Sequence, residues 1–121
     1  MAASVATLDQ SQVVPPTTSP AAGTGTLLAD RATGRILIAY ITHTVTNATD
    51  AAIHTSSGPT TNGASIVAFA NGAGTSLAYP TAGSIMTAQN LADFDASRLY
   101  FDVVNMADTN SEIRGNIAPL P

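Results

Sequence analysis

The feature that most limits what this chain can become is its punctuation. Beyond "GRILIAYITHTV", the β-prone runs "AAIHT", "ASIVAFA", "GSIMTAQ" and "RLYFDVVNM" are separated by "SSGPTTNG", "NGAGTS" and "NLADFDAS". No run keeps a helical apolar period for the length of an ordinary helix, whereas Gly, Pro, Asn, Asp and Ser clusters recur at the spacing of turns. "NLADFD" has room for one helical turn. The expected class is all-β: two packed antiparallel sheets with about seven to nine strands.

The longest alternation spans residues 36–41, where Ile36, Ile38 and Tyr40 share one face and Leu37, Ala39 and Ile41 the other. A strand apolar on both faces needs two covers, the opposing sheet on one side and a loop or a neighbouring subunit on the other. Upstream, "DRATG" is a hairpin connection with Gly34 available for positive φ. Downstream, "ADTN" at residues 107–110 turns the chain so that "SEIRGNI" pairs back onto "LYFDVVN". In that last strand Glu112 and Arg114 share a face while Ile113 points to the other. The planar donor fork of Arg114 suits backbone carbonyls at a sheet edge or Asp102 across the hairpin, and Gly115 lets another backbone approach. Glu112, Arg114 and Gly115 therefore read as a structural latch that closes the sandwich.

Composition narrows the partners. The 121 residues suit one core, and three Phe, three Tyr and no Trp leave alanine, threonine and small aliphatics to fill it. Four arginines, eight acids and no lysine give a formal net charge of -4. With no basic patch to neutralise phosphates, nucleic acid is excluded as a partner. No stretch approaches the roughly 20 apolar residues of a membrane span, and "MAASVATLDQ" lacks the charged and apolar regions of a leader. Absence of cysteine removes disulfides, thiolate metal sites and a cysteine nucleophile together. Low charge with abundant Thr, Ser, Ala, Gly and Asn is typical of exported surface and fibre proteins, so an extracellular or cell-surface location is expected. There, "NAT" at Asn47 is an acceptor for N-linked glycan, and "PPTTSP" offers Thr17 and Thr18 to O-linked sugars.

Three stretches, "LDQSQVVPP", "AAIHTSSGPTTNGASIVAF" and "LYFDVVNMADTNSEIRGNI", resemble in order and spacing the CHRD domain, a module named after chordin. The resemblance covers residues 5–117. A Gln-Glu-Val-Pro-Pro element of that family falls on residues 12–16, with Val13 in place of the glutamate. The closing Gly-Glu-Ile-Arg-Gly element is kept at Glu112, Ile113, Arg114 and Gly115, with Ser111 for the first glycine. The resemblance implies a Greek-key β-sandwich similar in outline to the copper/zinc superoxide dismutase barrel or an immunoglobulin-like sandwich. Family histidines that could meet in space fall on Ala52, His54 and Val104, so His54 alone remains.

That loss weakens every catalytic reading. His54 and His43, without a nearby acid or cysteine, make a poor zinc or copper cage, and no metal or other cofactor is expected. No "GxSxG" elbow accompanies the many serines. Asp93 and Asp95 in "ADFDAS" lack further oxygen ligands at calcium spacing and read as turn caps. The chain is expected not to be an enzyme.

Two functions fit. The first is a structural subunit that assembles with copies of itself into a fibre or surface layer. In this reading residues 1–22 are an N-terminal strand and Pro/Thr-rich spacer donated to a neighbouring subunit, and residues 23–121 are the sandwich. "SVATL" alternates as a strand should, so Val5, Ala6 and Leu8 are the expected subunit contacts. The second is a secreted binding module that captures a protein or glycan on its loops.

Overall fold

The computed structural model describes residues 1–70, 77–80, 83–108 and 111–120. Among these, eight strands form in chain order: β1 (Ala2–Leu8), β2 (Gly23–Ala29), β3 (Ile36–His43), β4 (Asp50–Thr55), β5 (Ser65–Ala70), β6 (Leu77–Pro80), β7 (Leu99–Val104) and β8 (Ile113–Asn116). One helix, α1 (Ala88–Asp95), lies between β6 and β7. All strand pairs are antiparallel and follow the order β1-β2-β3-β6-β5-β4-β7-β8. The fold is thus a mostly-β antiparallel sandwich, with β1-β2-β3-β6 as one leaf and β5-β4-β7-β8 as the other.

The two leaves are joined along both sides. On one side β5 pairs with β6, Phe69 opposite Pro80 and Ala70 opposite Tyr79. On the other, Asp9 and Arg114 exchange backbone bonds of 3.1 Å in each direction. The C-terminal segment then runs beside β1, where Leu120 N–H donates to the Ala3 carbonyl at 2.9 Å and the Ser4 hydroxyl to the Ala118 carbonyl at 2.7 Å. Gly115 permits the closure, since a Cβ there would lie 2.7 Å from the Thr7 carbonyl oxygen and 2.8 Å from Leu8 Cγ. Closing the sheet removes the free edge that β1 would otherwise present.

Alternation builds the core. Leu8, Leu27, Ile41, Ile53, Phe101, Val103 and Ile113 point between the leaves, with Phe94 of α1 and Ile117 at the ends. Phe69 and Phe101 meet edge to face at 6.3 Å. Small residues fill the rest, among them Ala2, Ala6, Ala29, Ala39 and Ala51.

The structure departs from several expectations. Residues 1–22 are not a separate strand and spacer. β1 pairs with β2 of its own chain over seven residues, from Ala2 opposite Ala29 to Leu8 opposite Gly23. Ala6 and Leu8, expected as subunit contacts, are buried in this chain's own core, and Val5 alone of the three faces outward. Residues 9–22 are bound to the sandwich: Val13 and Ala21 are buried, Asn62 Nδ2 donates to the Val14 carbonyl at 2.7 Å, and the backbone N–H of Asn116 donates to Gln12 Oε1 at 2.8 Å. Residues on both sides of position 23 share one core, Ala2, Ala6, Leu8 and Ala21 clustering with Leu27 and Ala29.

"GSIMTAQ", read as a strand, instead leads into α1. Thr87 caps that helix by accepting from Asn90 N–H, while Asn90 Oδ1 accepts from Thr87 N–H. The helix runs for eight residues rather than a single turn. The hairpin at "DRATG" forms with Gly34 at φ 74. The expected turn at 107–110 includes residues 109 and 110, which lie outside the described residues.

Candidate functional site

Residues that alternate with the core on β4, β7 and β8 form a second, polar layer. Phe101 and Val103 point inward, so Tyr100 and Asp102 point away from the core, as do Ala52 and His54 beside Ile53 and Arg114 beside Ile113. In register, His54 lies opposite Tyr100 and Asp102 opposite Arg114. Loop 56–64 and segment 9–17 cover this face, and Arg114 is only 1% exposed.

Arg114 holds loop 56–64 from below. Its Nη1 donates to the Thr61 carbonyl at 2.7 Å and to Asn62 Oδ1 at 3.3 Å, its Nη2 to the Gly58 carbonyl at 3.4 Å, and its Nε to Asn116 Oδ1 at 2.9 Å. The guanidinium carbon sits 3.6 Å from the centroid of the Tyr100 ring, a cation–π contact. Burial pulls the guanidinium below its usual range, opposed by Tyr100 and Asp102, but an arginine stays charged through this. A cation this enclosed is tolerated because loop carbonyls replace its water.

Glu112 does not pair with Arg114. Its Oε2 accepts from the Ser19 hydroxyl at 2.7 Å and its Oε1 from Asn105 Nδ2, and its carbonyl accepts from the Thr17 hydroxyl at 2.9 Å. The two residues therefore fasten different segments, Glu112 the 17–19 stretch and Arg114 the 58–62 loop. Asp102 was an expected partner of Arg114, yet its carboxylate accepts from His54 Nε2 at 3.0 Å and from the Ser111 hydroxyl at 2.9 Å.

His54 and His43 are kept apart. His43 points into the interior from β3, where its Nδ1 accepts from Val45 N–H at 3.2 Å. Burial lowers the pKa of His43, with Glu112 acting in the opposite direction, and its buried Nε2 has no partner among the described residues. His54 stands on the far side of β4, stacked on Tyr100 at 4.9 Å with 6° between the rings. Its Nδ1 faces the Gly63 carbonyl at 2.9 Å, so both ring nitrogens are engaged.

Ala52, His54 and Val104 do line one cavity of about 150 Å³, together with Asp50 and Asp102. The positions meet, but they supply one imidazole with no free lone pair, and that set does not fit a copper or zinc ion. Among the described residues, no group of three or more His, Cys, Asp or Glu is arranged to hold a metal.

The other candidates fall into local roles. Asp95 makes a bidentate pair with Arg31 at 2.7 and 2.9 Å, and Asp93 accepts from the Thr55 hydroxyl and from Gln89 Nε2. Asn47 is exposed in a turn with φ 54, and Thr18 is exposed, but Thr17 spends its hydroxyl on the Glu112 carbonyl. Sequence reasoning missed Tyr100, Ser111 and Gly63. The alternation in "RLYFDVV" was the available signal for Tyr100, because it puts Tyr100 on the face shared by Asp102.

No curated protein and no solved structure matches this chain. No described helix is long and apolar enough to cross a membrane. The CHRD domain pattern, however, matches residues 4–117, which takes in most of β1, all the other described strands and the whole polar layer, and the chain belongs to the CHRD domain family.

Proposed function

We propose that this chain is a non-enzymatic, extracellular structural subunit that associates with copies of itself through the outer face of β1, β2 and β3. One observation carries the reading. That face presents Ala3, Val5 and Thr7 from β1, Thr24, Thr26 and Leu28 from β2, and Ile38, Tyr40 and Thr42 from β3, and none of them is charged. Val5, Ile38 and Tyr40 are 57%, 47% and 39% exposed, and Val5 and Tyr40 both flank Thr26 in register.

Two molecules of net charge -4 repel wherever their acids face each other. They approach at least cost where charge is absent. Sheets stack face to face at about 10 Å, and full burial of a Val or Ile side chain contributes about 1.5–3 kcal/mol. The contact thus moves from a donated strand to a sheet face. Family membership supports the extracellular setting, since CHRD domains occur in secreted proteins in general.

A second reading, capture of a glycan or protein on the loops, has one feature in its favour. A cleft of about 410 Å³ is lined by hydroxyl, amide and carboxyl groups, including Thr18, Ser19, Thr44, Asn105 and Glu112. Light scattering over a concentration series separates the two. Mass should rise with concentration for the native chain and stay monomeric for the double variant Val5→Lys/Tyr40→Glu. A native chain that remains monomeric at millimolar concentration would overturn self-association and leave the binding module.

A further inference from the structure

His54 is placed where a neutral imidazole does not fit. Its two ring nitrogens face two oxygens that can only accept: the Gly63 carbonyl at 2.9 Å and the Asp102 carboxylate at 3.0 Å. A neutral histidine has one N–H and one lone pair, so one of those contacts would set lone pair against lone pair. Only the imidazolium satisfies both.

We propose that His54 is held doubly protonated as an internal clasp between β7 and loop 56–64, and that its bond to the Gly63 end of this loop is given up when the proton leaves. The surroundings are consistent with it. Asp102 faces His54 from β7 and is 1% exposed, so its charge is poorly served by water and needs the donor. Asp50, earlier on β4, lines the same cavity. Tyr100 stacks on the ring from β7, and Arg114 on β8 opposes a second cation. Loop 56–64 contributes no ionisable side chain, and neither do the Ser65 and Ala68 of β5 that line the cavity.

These influences have a resolved balance. Burial disfavours the charged ring, but hydrogen bonding to Asp102, its charge and the Gly63 carbonyl outweigh burial and Arg114, and the pKa of His54 is raised. The clasp is therefore complete below the ordinary histidine range near 6.5 and is lost as pH rises through the higher folded value.

Gly63 is also met by Tyr100, whose Oη accepts its N–H at 3.1 Å and lies 3.5 Å from its carbonyl, and the loop's middle is held by Arg114. Loss of the proton thus removes the His54 bond to Gly63 and leaves the Tyr100 and Arg114 contacts in place. After deprotonation the ring keeps one N–H, which stays with the buried carboxylate because a charged acceptor binds more strongly than a carbonyl. The bond to Gly63 is the one given up.

The test is an NMR titration of the native chain from pH 5 to 10, with the His54 ring signals assigned by through-bond connection to its own backbone and so told apart from those of His43. The expected result is a midpoint above about 6.5. Protection of the Gly63 and Ala64 amides, corrected for base-catalysed exchange, should fall through that same midpoint by about tenfold per unit separating the closed and open pKa values. Amides of β2, on the other leaf, should not change there. In His54→Gln, which cannot carry the charge, loop protection should no longer depend on pH in this range. A native midpoint at or below the ordinary value would overturn the proposal, as would loop protection indifferent to the His54 titration; both are read on the native chain even if the variant fails to fold.

Discussion

The two leaves of the sandwich bury their inner faces alike and treat their outer faces in opposite ways. The outer side of β4, β7 and β8 carries His54, Asp102 and Arg114, and the chain spends two long non-strand segments, 9–22 and 56–64, on covering it. The outer side of β1, β2 and β3 carries threonines and a few large apolar groups and is left bare. The difference follows from what each set of side chains demands. A buried charge without partners costs several kcal/mol, so the polar face folds only with its cover in place. A face of Thr, Val, Ile and Tyr carries no such penalty in water and can wait for a neighbour.

The sharpest way to break the comparison is to remove what fastens the cover. Arg114→Ala deletes every guanidinium bond to Gly58, Thr61, Asn62 and Asn116 as well as the Tyr100 contact. Denaturant unfolding should show a loss of about 3 kcal/mol or more, and Arg114→Lys should recover only part of it. An unchanged midpoint would mean that the loop is held without Arg114 and the two faces are less different than drawn.

Next in size is the seam between the leaves. Gly115→Ala places a methyl group against the Thr7 carbonyl and the Leu8 side chain, at separations real Cβ atoms do not show. We expect a loss of about 1–3 kcal/mol by thermal or chemical unfolding, since β1 and β8 must part. Tolerance of alanine would show that β1 is loosely held and revive exchange of this strand between chains.

A smaller effect distinguishes the polar face by pH. Native stability should decline as pH rises through the His54 midpoint and the clasp to Gly63 is lost, in a series of denaturation curves across neutral and alkaline pH. His54→Gln should flatten that dependence. Among the described residues of β1, β2 and β3, the bare face carries Tyr40 as its one ionisable group.

Smallest of all should be the effect of charge on the bare face. Val5→Lys/Tyr40→Glu should alter the unfolding free energy of the monomer by no more than about 0.5 kcal/mol for each change while abolishing association. A large loss of monomer stability would show that this face is covered by its own chain after all.

Much of this was legible in one dimension, and the reasons are local. Turn clusters between short β-prone runs announce an antiparallel sandwich because strand length and turn chemistry are properties of neighbouring residues. The Glu112–Gly115 run stood out from residue types alone, because an arginine fork and a glycine have few uses in a terminal strand. Thr87 and Asn90 hid the start of α1 because the capping pair uses Asn where Glu or Gln is the familiar signal.

What the sequence by itself determined is the face that most strand residues take, since alternation needs only the chain's own period; at the start of β3 the bulge opposite Leu28 and Ala29 overrides it, packing Ile36 against the core and leaving Leu37 exposed. Which partner each polar group meets was decided by tertiary structure alone. Glu112 reaches Ser19 across 93 positions and Arg114 reaches Thr61 across 53, and Asp102 turns to His54 rather than to the arginine opposite it. Likewise β1 reads as a strand in isolation, but whether it lies in its own sandwich depends on Asp9 meeting Arg114 and Leu120 meeting Ala3. Such contacts join segments that share no local pattern, and only closure of the sheet brings them within bonding distance.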